Sequence, residues 1–172
     1  MRRRHGVLWR AAAALALCLA LPDAVAAAIL DQLQGAWATR PADQPAMEWS
    51  ASGNAFSVSF TPPAGKPITI QFTPSGRPGV LAGHAKAGWS MMGAMFGGDE
   101  PVDPLVEGTL YWARTAEDAV YFYSLAIDDQ GAFELDRYRC MPEGDGLTVS
   151  IQRRSAGGAV DVPEQHLVRV GS

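Results

Sequence analysis

Cysteine is scarce: Cys18 and Cys140 are the only two in 172 residues. Cys18 falls in an apolar N-terminal run that reads as a removable leader, so the remainder keeps one thiol and no intramolecular disulfide. An exported domain without that cross-link must rest on its hydrophobic core, and the 146 residues after Ala26 are enough for one. Within the strand-like run "FELDRYRC" the Cys140 thiol is expected to be partly buried and inert. Histidine is nearly as rare, with only His84 and His166 beyond the leader. Catalytic signatures are missing too. There is no G-x-S-x-G elbow, no H-E-x-x-H, no phosphate-binding glycine loop and no Cys/His pair at a useful spacing, so nothing argues for an enzyme. Basic residues form no cluster beyond the leader. Losing four arginines and one aspartate with it takes the formal charge from −4 to −7. An acidic, unclustered balance speaks against nucleic acid and anionic membrane surfaces as partners.

The leader has three parts: the basic "MRRRHGVLWR", the apolar "AAAALALCLALP" and the small-residue "DAVAAA". This is the anatomy of a secretory signal peptide, with the cut expected after Ala26. Its apolar core of about a dozen residues is short of the roughly 20 that span a bilayer, so no transmembrane segment is expected in the mature chain. His5 and Gly6 stand where a twin-arginine signal would be apolar, which favours the Sec route. Leu17 before Cys18 argues against a lipoprotein cut. The expected location is a bacterial periplasm or the exterior. Without an internal repeat or linker, the organisation reads as a signal peptide over 1–26 and one domain over 27–172.

Helix-like sequence is also scarce, confined to "AAAILDQLQG" at 26–35, with Gly35 as its stop. The rest alternates. Phe56, Val58 and Phe60 oppose Ser57, Ser59 and Thr61. Leu147, Val149 and Ile151 oppose Thr148, Ser150 and Gln152. Period two is the mark of a half-buried antiparallel strand. "AVYFYSLAI" is apolar on both faces and "EGTLYWA" nearly so, as suits strands between a ligand-lined interior and a covering helix. Short turns such as "AED", "DQG" and "PEGDG" join these runs. Eight to ten such strands predict an all-β fold, an antiparallel up-and-down barrel with a short N-terminal helix. A sandwich is the alternative.

"LQGAW" at 33–37, with Gly35 and Trp37 after a short helix, resembles the opening of a lipocalin or wider calycin barrel. That resemblance implies that Trp37 plugs the closed end while Gly35 lets the chain turn beneath it. It also implies an arginine from the last barrel strand over the Trp face, a cation–π contact. Arg153 fits that role, with Arg154 as the fallback. Two family features are missing or distorted: the Asp-Tyr pair of a later loop, unless "DRY" at Asp136–Tyr138 replaces it, and the repeated glycines of haem-binding relatives.

The stretch "GHAKAGWSMMGAMFGGDEP" at 83–101 spends Trp89, Met91, Met92, Met95 and Phe96 among glycines. Its length predicts a lid over the barrel mouth, closed by Trp89, Met92 and Phe96 and jointed at Gly88, Gly93, Gly97 and Gly98. Tyr111, Trp112, Tyr121, Phe122 and Tyr123 are the candidate cavity walls, of which alternation lets only some face inward. The expected function is non-catalytic binding of a small apolar or amphipathic molecule. The alternative from another class is an interaction module that docks a protein partner through loop 88–98. Other ligations read from the chain are Cu(I) by His84, Met91, Met92 and Met95, and haem by His166. Asp99, Glu100 and Asp103 are a possible Ca²⁺ set, though their prolines suit a solvated turn better. No resident cofactor is expected. Asp136, Arg137 and Arg139, alternating charges on one strand, are expected to face solvent or pair across strands.

Overall fold

The alternation of apolar and polar residues sets the architecture. The computed structural model describes residues 21–40, 43–61, 67–86 and 109–170. A helix, α1 (Leu21–Leu33), precedes ten strands: β1 (Gly35–Ala38), β2 (Met47–Ser52), β3 (Ala55–Phe60), β4 (Ile68–Pro74), β5 (Val80–Lys86), β6 (Thr109–Thr115), β7 (Val120–Ile127), β8 (Phe133–Glu143), β9 (Gly146–Ser155) and β10 (Gly158–Val170). Each strand pairs antiparallel with the next, and β1 pairs with β10 to close a barrel. Phe56, Val58 and Phe60 point inward from β3, as do Leu147, Val149 and Ile151 from β9.

The middle of the barrel is filled by its own side chains. Trp49 stacks on Phe56 at 5.2 Å, Phe56 on Phe72 at 4.8 Å, and Phe122 on Tyr138 at 4.3 Å. Phe60 meets both Phe122 and Tyr138 edge-on or tilted. Each such buried ring stabilises the fold by about 1.5–3 kcal/mol. Cys140 is wholly buried among them, and burial pushes its thiol well above the ordinary range. The single thiol of the described residues is therefore a small apolar filler.

One end is plugged by α1. Ile29, Leu30 and Leu33 are buried against the barrel, and the Trp37 indole N–H donates to the Leu33 carbonyl at 2.8 Å. Gly35 makes the turn from helix to β1 at φ 113°, and a Cβ there would lie 2.8 Å from the Arg169 guanidinium. The positive φ is what demands glycine, since the long Arg169 side chain could shift away from a Cβ.

One expectation is corrected here. The cation over Trp37 is Arg169, with its guanidinium carbon 4.3 Å from the ring centre, and not Arg153 or Arg154. Arg153 does share the inward face of Leu147, Val149 and Ile151. However, β9 climbs away from the plugged end, and six residues at about 3.3 Å each carry Arg153 some ~20 Å from Leu147. Arg169 is placed by register instead, directly opposite Trp37 in the β1–β10 pair. No helix among the described residues covers the outer faces of β6 and β7. The helix lies across the barrel end, and those faces are open to solvent at Leu110 and Ile127.

Candidate functional site

Sequential antiparallel strands send their connections to alternate ends. The turns β2–β3, β4–β5, β6–β7 and β8–β9 gather at the helix end. The connections β1–β2, β3–β4, β5–β6, β7–β8 and β9–β10 lie at the other, which is the open end. Lys86 and Thr109, the strand ends that flank the segment 87–108, lie at that second end. The segment itself lies outside the described residues, and with it Trp89, Met91, Met92, Met95, Phe96, Asp99, Glu100 and Asp103.

Strand period decides which candidate wall residues face inward. Phe122 is fully buried in the core, and Tyr111 packs against that core from β6. Trp112, Tyr121 and Tyr123 point outward. Trp112 and Tyr123 are cross-strand partners that stack on the outer surface with ring centres 4.9 Å apart and planes 3° apart. So two of the five line the interior, and three form part of an external face.

Above the aromatic stack, towards the open end, the interior turns polar. Asp136 on β8 is directly opposite Arg153 on β9 and Ser124 on β7. Arg153 donates through Nε to Asp136 Oδ1 at 2.8 Å and through Nη2 to Oδ2 at 2.9 Å, a bidentate pair. Glu134 Oε1 stands 3.4 Å from the same Nη2. The Asp136 side chain is 8 % exposed and that of Arg153 31 %, so the carboxylate is withdrawn from water while the guanidinium keeps contact with it. The hydrogen bonds to Asp136 hold the guanidinium above its already high pKa against the opposing effect of burial. Tyr138 forms the floor beneath. Burial first, and the Asp136 charge second, raise its phenol well above the ordinary value of 10.0. Tyr111 is raised by burial as well, with a hydrogen bond to Thr109 opposing.

Asp136 pairs across strands with Arg153, one of the two outcomes expected of the alternating charges, and it does so from the inner face. The signal was there: it shares the period-two parity of Tyr138 and Cys140, whereas Arg137 and Arg139 have the opposite parity and do face outward. Arg139 holds Asp118 at 2.8 Å on the surface. A second polar group inside the barrel is the Trp49 indole N–H, which is buried with no hydrogen-bond partner.

The remaining candidates lie elsewhere. His166 is on the outside of β10, its side chain 73 % exposed, with Nδ1 3.0 Å from the Thr148 hydroxyl. It cannot reach a group inside the barrel, which removes it as an axial haem ligand there. His84 is exposed on β5. No group of three or more His, Cys, Asp or Glu side chains is placed to hold a metal among the described residues. A cleft of about 250 Å³ lies at the plugged end, between Leu30 of α1 and the β4–β5 turn around Pro74, Arg77, Pro78 and Leu81. It has no buried charge. No helix among the described residues is long and apolar enough to cross a membrane.

The chain matches no family model, no curated protein and no solved structure. The functional argument therefore rests on the geometry above.

Proposed function

We propose that this protein is an exported, calycin-like barrel that binds a small apolar or amphipathic molecule at its open end without catalysis. The observation that carries the reading is the Asp136–Arg153 pair, set inside the barrel on the Tyr138–Phe122 floor. Withdrawing the Asp136 carboxylate from water costs free energy that its pairing with the partly exposed Arg153 must offset, and apolar side chains at the same inward positions would serve stability as well or better. A charge pair set above an aromatic floor is the kind of polar group that orients a ligand lying on the rings, and this supports the reading. The apolar part of a ligand would lie on the rings, while the pair and the Tyr111 and Tyr138 hydroxyls orient its polar end. The Gly35–Trp37 opening, the plugging helix and Arg169 over Trp37 support the calycin-like assignment, and the tripartite N-terminus supports export.

The test is a titration with Nile red, a neutral fluorescent dye. The wild type should bind it saturably at one site. Ser124→Trp places a large ring at the inward position between Tyr111 and Asp136, and should weaken binding at least tenfold while circular dichroism stays unchanged. Tyr121→Ala, on the outer face, should leave binding as it was. No saturable binding by the wild type, or equal binding by Ser124→Trp, would overturn the reading.

A further inference from the structure

β10 is 13 residues long, yet β1 covers only its end, Val168–Val170. β9 pairs with the other side of β10 from Gly158 to Val168. Among the described residues no strand pairs with the β1 side from Gly158 to Leu167, so that side is an open sheet edge rising towards the mouth of the barrel. Alternate residues of an antiparallel strand turn both N–H and C=O to the same side, and an edge leaves those groups unpaired. Part of this edge is blunted. A bulge shifts the register between Val162 and Gln165, and Pro163 within it has no N–H to offer. Gly158–Val162 has no bulge, proline or lysine, and Gly158, Ala159, Val160 and Asp161 are all exposed.

The side chains along this stretch set what fits it. Val160 is directly opposite Arg153 and Val162 opposite Ile151, so both share the inward face. Val162 packs against the core, whereas Val160 is 63 % exposed. On the outer face Asp161 is the charge at the edge itself, with its Oδ1 accepting from the neutral Gln152 Nε2 at 2.9 Å. Arg154 and Arg137 belong to β9 and β8, one and two strands farther in. We infer that Gly158–Val162 binds an extended peptide as an added strand, one that alternates apolar and basic residues. Its main chain pairs with the open edge, its apolar side chains lie beside Val160 and Val162, and its basic ones lie beside Asp161.

Five residues at about 3.3 Å each span roughly 17 Å, the length of an ordinary strand, so a short segment of a partner suffices. A second copy of the chain could present the same edge. Pairing two such edges about Val160 would set the two Asp161 carboxylates diagonally on one face, where like charges repel. A lysine-bearing strand replaces that repulsion with attraction. The peptide needs only the strand edge, so its binding does not depend on a small molecule inside the barrel.

The probe is a fluorescein-labelled heptapeptide of alternating valine and lysine, blocked at both ends and titrated into the protein by anisotropy. Saturable binding is expected, and hydrogen exchange at alternate amides within Gly158–Val162 should slow at least tenfold at saturation. Asp161→Lys should weaken this peptide at least fivefold and tighten its valine–glutamate counterpart, with circular dichroism showing the variant folded. Two further peptides carry N-methyl groups, one on its valines and the other on its lysines. Each blocks one side of the peptide strand, so one should fail and the other bind as before. No saturable binding, no protection within Gly158–Val162, or equal behaviour of the two methylated peptides would overturn strand addition. Binding indifferent to Asp161→Lys would overturn the basic register. A dimer that protects the same amides without peptide would make a second copy the occupant and overturn the proposal.

Discussion

Arg169 joins the last strand to the helix that plugs the barrel. Its guanidinium lies 4.3 Å over the Trp37 ring, Nη2 donates to the Gln32 carbonyl at 2.9 Å, and Nη1 donates to the Gln34 carbonyl. The Gln32 carbonyl is among the last four of α1, and the Gln34 carbonyl lies just past its end, where the helix dipole welcomes a cation. One side chain thus satisfies a helix terminus and covers an aromatic face.

Replacing it should loosen that end of the molecule. A partly exposed cation–π contact is worth about 0.5–1 kcal/mol, and a charged hydrogen bond about 1.5–3 kcal/mol when well buried and less at an exposed site such as this one. Arg169→Ala should lower stability by about 2 kcal/mol in urea unfolding. Arg169→Lys keeps the charge without the planar fork and should recover less than half of the loss. An Arg169→Ala protein as stable as the wild type would show that the contact carries no energy.

Gly83 on β5 faces the interior between Phe72 and Tyr111. A Cβ there would lie 2.6 Å from the Tyr111 Cβ and 2.7 Å from Phe72 Cε1. Neither neighbour has room to retreat in a close-packed barrel. Gly83→Ala should cost about 1–3 kcal/mol, the usual range for overpacking, although alanine is ordinarily the better strand residue. Thermal unfolding followed by circular dichroism would measure it.

The raised phenols of Tyr111 and Tyr138 make stability depend on pH on the alkaline side. A group whose pKa is higher in the folded state stabilises the fold fully below its unfolded pKa, about 10 for tyrosine. That contribution is lost as the pH rises towards the folded value. Stability should therefore fall progressively above about pH 10. Absorbance at 295 nm should show part of the tyrosine signal appearing only as the barrel unfolds. In Tyr138→Phe that late fraction should shrink and the alkaline loss become shallower.

Much of the fold was legible because the period of a strand is local. The alternation in "NAFSVSFT" and "LTVSIQRR" puts the right residues inside whatever the rest of the chain does. "LQGAW" marks the start of β1 because a helix stop and a turn must be written in adjacent residues. What period two does not give is height along the barrel. Arg153 has the parity expected of the Trp37 partner but sits at the opposite end, and only the pairing of β1 with β10, distant in sequence, puts Arg169 opposite Trp37. The inward position of Asp136 was readable from its parity with Tyr138 and Cys140. Alternating charges allow a cross-strand pair as well as a solvated face, and the choice depends on a partner seventeen residues away that is not visible from one strand.

The closure of the barrel has a consequence for the order in which the molecule can be made. β1 meets β10 through only three residue pairs, Ala36 with Val170, Trp37 with Arg169, and Ala38 with Val168. All other neighbours are consecutive in the chain, so their hairpins form over short loops, while this seam must join segments more than a hundred residues apart, the most costly contact in loop entropy. It should be the last to zip and the first to part, and hydrogen exchange at the Trp37 and Ala38 amides should run ahead of that in β7 and β8. A growing chain cannot fasten its own hoop before Val170 has been synthesised. Until then it remains an unfinished ribbon of hairpins, a state compatible with passage through a narrow pore.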